Sequence, residues 1–170
     1  MKTLIPTLII VVVGIAITYY MIDQPKALKV YNPTDINPEL VDESVRNVNK
    51  MHRVGSFSLT DQDGKTVTEH DFEGKIYVTD FFFVTCPTIC PKMTKQMERV
   101  YQEFKTNDDV VLLSHTVMPE HDSVPVLKEY ATEIGVSANK WKFVTGDKPQ
   151  IYNLARKTYF AAITEGDGGI

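Results

Sequence analysis

Cys86 and Cys90 are the only cysteines in the 170-residue chain, and they stand four residues apart in Cys86-Pro87-Thr88-Ile89-Cys90. A pair this close cannot close the long loops through which a structural disulfide gains most of its effect, so the sequence assigns it to chemistry. A thiolate is both a redox nucleophile and a soft-metal ligand. In helical geometry an i, i+4 pair puts both sulfurs on one face with Cα atoms roughly 6 Å apart, within reach of a disulfide. The same pair can close on one metal ion. Two thiolates select soft ions such as Cu(I), whereas structural zinc takes four ligands and the chain has no second cysteine pair. The bland alternative is that two small apolar residues fill the base of a helix. Against it stand Pro87 and Pro91, which each follow a cysteine and stiffen the turn.

The elements around the pair must present it. Phe57 and Leu59 alternate with Ser56, Ser58 and Thr60, and the turn Asp61-Gln62-Asp63-Gly64 leads into Thr66-Val67-Thr68, a β-hairpin pattern. The nearly continuous β-branched and aromatic run from Lys75 to Val84 predicts a central strand buried on both faces. The cysteines follow it directly, and Met93, Met97, Val100, Tyr101 and Phe104 then recur at helical spacing. A strand, cysteine turn and helix in that order put the thiols at the carboxyl end of a strand, where open α/β sheets place their sites. Free N–H groups and the positive helix end there lower a thiol pKa. Val110–Val117 predicts a second buried strand, Ser123 caps a helix that stops at Gly135, Trp141–Val144 predicts a short strand, and Asp147 caps a last helix. The expected fold is an α/β sheet with flanking helices and an N-terminal β-hairpin.

Charged residues at 24% and hydrophobic residues at 43% are globular values, which exclude a disordered chain and a polytopic membrane protein. The net charge of −4 argues against nucleic acid as a partner. Leu4 to Ile22 carries no formal charge, and as a helix its 19 residues span roughly 28 Å, close to the hydrocarbon thickness of a bilayer. Tyr19, Tyr20, Met21 and Ile22 offer no small-residue cleavage site, so an uncleaved anchor is expected rather than a signal peptide. The division that follows is a short tail at 1–3, a transmembrane helix at 4–22, a tether at 23–53 with one short helix at Pro38–Asn49, and a folded domain at 54–170. The charge flanks do not decide orientation. A short tail, a span and a domain together behave as a signal anchor, which places the domain outside the cytoplasm, on the periplasmic side of a bacterial inner membrane. Oxidising surroundings there let the pair cycle between dithiol and disulfide.

The block Phe81-Phe82-Phe83-Val84-Thr85-Cys86-Pro87-Thr88-Ile89-Cys90-Pro91-Lys92-Met93 resembles the signature of the Sco/SenC family, thioredoxin-fold copper proteins tethered to the inner membrane. A second block, Val117-Met118-Pro119-Glu120-His121-Asp122-Ser123, is similar to the family's segment after the next strand, with Met118 where an Asp usually precedes the Pro. The resemblance implies a thioredoxin-like sheet and a copper ion, Cu(I) or Cu(II), held by Cys86, Cys90 and one histidine. It also implies delivery of copper to, or reduction of the cysteines of, the dinuclear copper centre in cytochrome c oxidase. The partners implied are the copper-bearing oxidase subunit and a thioredoxin-like reductant or upstream copper chaperone. The family's histidine lies far downstream, and none of His52, His70, His115 or His121 matches it, so the third ligand is expected beyond Ile170. The closing strands are expected there too, because Thr164–Ile170 reads as a loop in progress and the chain as a fragment.

His115, near the end of the second predicted strand, is the one histidine that could approach the sulfurs; the plainer expectation is a strand-end histidine bonded to backbone. His121 reads as solvated, His52 and His70 as surface, and Met93 and Met97 as core rather than copper thioethers. Two other functions use the same thiols. A membrane-anchored thiol:disulfide oxidoreductase would use Cys86 and Cys90 as its redox pair without metal, although three intervening residues, against two in thioredoxin-type enzymes, favour metal capture. A peroxidase is suggested because Phe-Val-Thr-Cys-Pro-Thr resembles the peroxiredoxin cysteine loop. Those enzymes need a Thr three residues before the cysteine, where this chain has Phe83.

Overall fold

The turn that the sequence marks at Asp61–Gly64 organises the first two strands in the computed structural model, which describes residues 4–22, 29–49 and 51–162. The Asp61 carboxylate accepts from the N–H groups of Asp63 and Lys65, each at 2.9 Å, and Gly64 takes a φ of 76° that a side chain would resist. This pairs β1 (Ser58–Asp61) with β2 (Thr66–Thr68) as an antiparallel hairpin, Leu59 opposite Val67.

The chain then alternates strand and helix: β3 (Ile76–Phe82), α2 (Cys90–Phe104), β4 (Val110–Thr116), α3 (Val124–Glu133), β5 (Trp141–Thr145) and α4 (Lys148–Asn153). Among the described residues they form one mixed sheet in the order β2-β1-β5-β4-β3, with β3, β4 and β5 parallel and the hairpin antiparallel to β5. Strand alternation divides the core in two. Val111 and Leu113 of β4 join Phe57, Leu59, Phe72 and Ile151 on the α4 face. Leu112 joins Phe82, Met97, Leu127, Trp141 and Phe143 on the face covered by α2 and α3. This is the α/β sheet with flanking helices and N-terminal hairpin that the pattern predicts.

Three expectations need revision. The Lys75–Val84 run forms β3, but β3 stands at an edge of the described sheet and its residues are mostly half-buried. A hydrophobic run reports burial of the two faces and says nothing about a lateral neighbour, which is why a central place was expected. The helix expected over Pro38–Asn49 is instead one short 3-10 turn, Pro38–Leu40, and a similar turn, Pro33–Asp35, precedes it. Each begins with a proline after an asparagine, followed by turns. Residues from Tyr31 onward also belong to the compact unit rather than to a loose tether. Val41 is 1% exposed, Asp42 pairs with Arg156 at 3.7 Å, and His52 donates from Nε2 to the Thr158 carbonyl at 2.8 Å. The expected loop at Thr164–Ile170 lies outside the described residues, as does the tail at 1–3.

The apolar run is helical throughout, as α1 (Leu4–Ile22), and every described side chain from Ile9 to Met21 is exposed. Among the described residues no helix is long and apolar enough to cross a membrane.

Candidate functional site

The ladder of β3 ends at Phe82, whose carbonyl takes a last hydrogen bond from the Val117 N–H at 2.8 Å. Residues 83–89 then turn toward α2. Cys86 lies in this turn, its N–H donating to the Phe83 carbonyl at 3.2 Å, and Cys90 is the first residue of α2. The pair thus straddles the helix start rather than lying within one helical turn. The Cys90 N–H points at Cys86 Sγ, 3.4 Å away. Both thiols are free and buried, with Cys86 7% and Cys90 6% exposed. They open onto a pocket of about 240 Å³ that is also lined by Val84, Pro91, Thr94, Glu98, Tyr130 and Ile134.

The two sulfurs are electrostatically unlike. The Cys90 thiol and the N–H groups of Thr88, Cys90 and Ile89 converge on Cys86 and lower its pKa to about 6. Burial raises Cys90 to about 11, with the Cys86 hydrogen bond and the charges of Cys86 and Asp80 adding to it. Of the two, Cys86 is the sulfur more readily present as a thiolate, while burial favours the protonated form of Cys90. Asp80 is a feature that sequence reasoning missed, submerged in the apolar run of β3. Burial raises its pKa to about 6, and its Oδ1 is buried without a hydrogen-bond partner. The signal was an acid inside a strand otherwise rich in aromatic and β-branched residues.

His115 is not brought to the cysteines. Phe81 stacks on its ring at 4.9 Å, and Phe57 and Tyr159 complete an aromatic surround on the α4 face, opposite the thiols. The Thr79 hydroxyl donates to the Leu113 carbonyl at 2.8 Å and so accepts from His115 Nδ1–H at 3.2 Å. A strand-end histidine outside the site is thus observed. His70 is exposed and paired with Glu73, and His121 is exposed. His52 is half-buried rather than on the surface. Met97 is buried among core residues, as its spacing predicted.

Cys86 and Cys90 suit a soft cation by the chemistry of their donors: two sulfurs, one readily a thiolate, beside an open pocket. Among the described residues no group of three or more His, Cys, Asp or Glu side chains is placed to hold a metal ion. The site as described is a two-sulfur site.

The SCO1/SenC family profile matches residues 45–169. A SCO1 protein homologue of Bacillus subtilis is 34% identical over 119 residues, which is 69% of this chain and 62% of that protein. The chain spans less than two thirds of the curated relatives it matches, and only 34% of the mitochondrial SCO1 homologue 1 of Arabidopsis thaliana. Among solved structures, BsSco, described as a member of the Sco family of cytochrome c oxidase assembly proteins, superposes with a TM-score of 0.60. It shows 36% identity, over 70% of this chain and 72% of that one. Arabidopsis thaliana ScoI with copper bound superposes with a TM-score of 0.52 at 36% identity, over 60% of this chain and 63% of that one. The mixed sheet is thus the thioredoxin-like one, and with the family profile matched over residues 45–169 the chain belongs to the SCO1/SenC family.

Proposed function

We propose that the chain is a membrane-anchored copper carrier that takes up Cu(I) through Cys86 and Cys90. It delivers copper to the dinuclear copper centre of cytochrome c oxidase. The observation that carries this reading is the convergence of two free sulfurs at the start of α2, Cys86 with a pKa lowered to about 6, beside an open pocket. It is supported by the family's oxidase-assembly members and by relatives with copper bound. The Cys86 thiolate engages the ion first, and the ion's charge then offsets the cost of releasing the Cys90 proton. α1, helical and apolar with every described side chain from Ile9 to Met21 exposed, is the anchor. The domain faces the periplasm, where the oxidase subunit, an upstream copper chaperone and a thioredoxin-like reductant are its partners. The reading is tested by titrating the reduced protein with Cu(I). One equivalent should bind, and Cys86→Ser or Cys90→Ser should abolish it.

The unequal thiols favour one second reading, reduction of a partner's disulfide. The Cys86 thiolate attacks one partner sulfur and expels the other as a thiolate. Cys90 then gives up its proton and attacks Cys86 Sγ, releasing the second partner thiolate and closing the Cys86–Cys90 disulfide. Two electrons pass to the partner, the proton from Cys90 goes to solvent or to a released thiolate, and no other reductant is consumed. A protein that ignores Cu(I) yet reduces disulfides with Cys86-dependent turnover would establish this reading over the first.

A further inference from the structure

The loop after β4 reaches across to the cysteine turn through one buried side chain. Asp122 is 1% exposed, and its Oδ2 accepts two hydrogen bonds: from the Thr116 hydroxyl at the end of β4, and from the Val84 N–H at 3.1 Å. Val84 lies two residues before Cys86, beyond the last ladder position of β3. The loop that carries Asp122 is itself tied down. The Met118 N–H donates to Thr116 Oγ1 at 3.0 Å, the Asp122 N–H donates to the Met118 carbonyl at 2.9 Å, and the Val117 N–H donates to the Phe82 carbonyl at 2.8 Å.

We propose that Asp122 is a positioning residue for the cysteine pair, a carboxylate strap that fixes residues 83–86 against β4 and so sets Cys86 Sγ at the start of α2. The proposal rests on the reading of Cys86 and Cys90 as the working thiols. Hydrogen bonds to a carboxylate are about twice as strong as neutral ones, and removing a buried acceptor leaves its donors unsatisfied. Bonds of this kind hold Cys86 in place before any ligand arrives. Copper capture by two sulfurs and disulfide closure both require that same approach of Cys86 to Cys90. Cutting the strap frees the loop, so each process must first restrict it.

The test uses the full chain in detergent, with Asp122→Ala, Asp122→Asn and, as a control for destabilisation on the opposite face, Ile151→Val. Cu(I) retention is read by competition with a colorimetric Cu(I) chelator, and the dithiol–disulfide equilibrium by exchange with glutathione. Asp122→Ala is expected to weaken both by about tenfold, whereas Asp122→Asn, whose amide oxygen can take both hydrogen bonds, stays within about threefold of wild type. Ile151→Val should lower the urea midpoint and leave both constants unchanged. Hydrogen exchange of the Val84 amide in the wild-type protein provides a readout that needs no variant, and strong protection is expected. Wild-type constants in Asp122→Ala, or a Val84 amide exchanging like an open loop, would overturn the proposal. Failure of the wild type to bind Cu(I) would sink the copper reading and leave the glutathione equilibrium to judge Asp122.

Discussion

Two sulfurs of the same residue type differ here because their surroundings differ. Cys86 collects the Cys90 thiol and the N–H groups at the start of α2, while Cys90 is burdened by burial and by negative neighbours. Alkylation of Cys86 in the reduced, metal-free protein should therefore rise with pH and reach half its plateau near pH 6. A profile centred at the ordinary thiol value of about 8.5 would contradict the arrangement. His115 and Asp80, on opposite faces of the sheet, make a second prediction. Burial holds the His115 pKa at about 4, so below its unfolded value only the unfolded chain gains that proton, and stability falls as pH drops from about 6.5 to about 4. The Asp80 pKa is raised to about 6, so the folded state gains a proton first, and stability rises as pH falls from about 6 to about 4. The two nearly offset in the wild type. Urea unfolding at pH 4.5 and 6.5 should show His115→Phe gaining stability on acidification and Asp80→Asn losing it. Equal pH dependence in both variants would refute the opposed signs.

At the scale of elements, Gln62 stands in for a missing rung between the hairpin and β5. Its Nε2 donates to the Trp141 carbonyl at 2.8 Å and its Oε1 accepts from the Phe143 N–H at 2.9 Å, all buried. Gln62→Ala strands both backbone groups and should lower the unfolding free energy by about 2–4 kcal/mol. A loss under about 0.5 kcal/mol would contradict this role. The strands and helices around the site were legible in the sequence because each has a period or a cap. Asp147 does accept from the Gln150 N–H at 3.1 Å, whereas Ser123 precedes α3 without a side-chain cap. What was not legible had no period. Pro33, Val41, Asp42 and His52 dock their segments through contacts that follow no sequence period, and the pairing of β3 is a matter of neighbours that its composition cannot report. The side of His115 lay between these cases. Alternation with Leu113 places it on the α4 face, but only once Phe81 and His115 are known to be register partners.

For the whole molecule, the chain divides into a unit that holds the apolar helix α1 and a compact unit that begins at Tyr31, and the proposed anchor is tested on the first. The full chain should sediment with phospholipid vesicles, and a variant lacking residues 1–28 should remain in the supernatant; vesicle binding by the shortened chain would refute the anchor. The cysteine pair stood out in the sequence through its spacing, the prolines that follow each cysteine and its place between a strand and a helix. Asp122 and Asp80 did not, since their partners come from distant strands and loops. Two sulfurs are the donor set a soft ion prefers, so under the proposed function Cu(I) should be held more tightly than Cu(II), which parallel titrations with each ion would check. The most direct measurement is a Cu(I) titration of the reduced protein beside its Cys86→Ser and Cys90→Ser variants. One tightly held equivalent that disappears in each variant is the predicted result, and Cu(I) binding that survives both substitutions would contradict the assignment of the site.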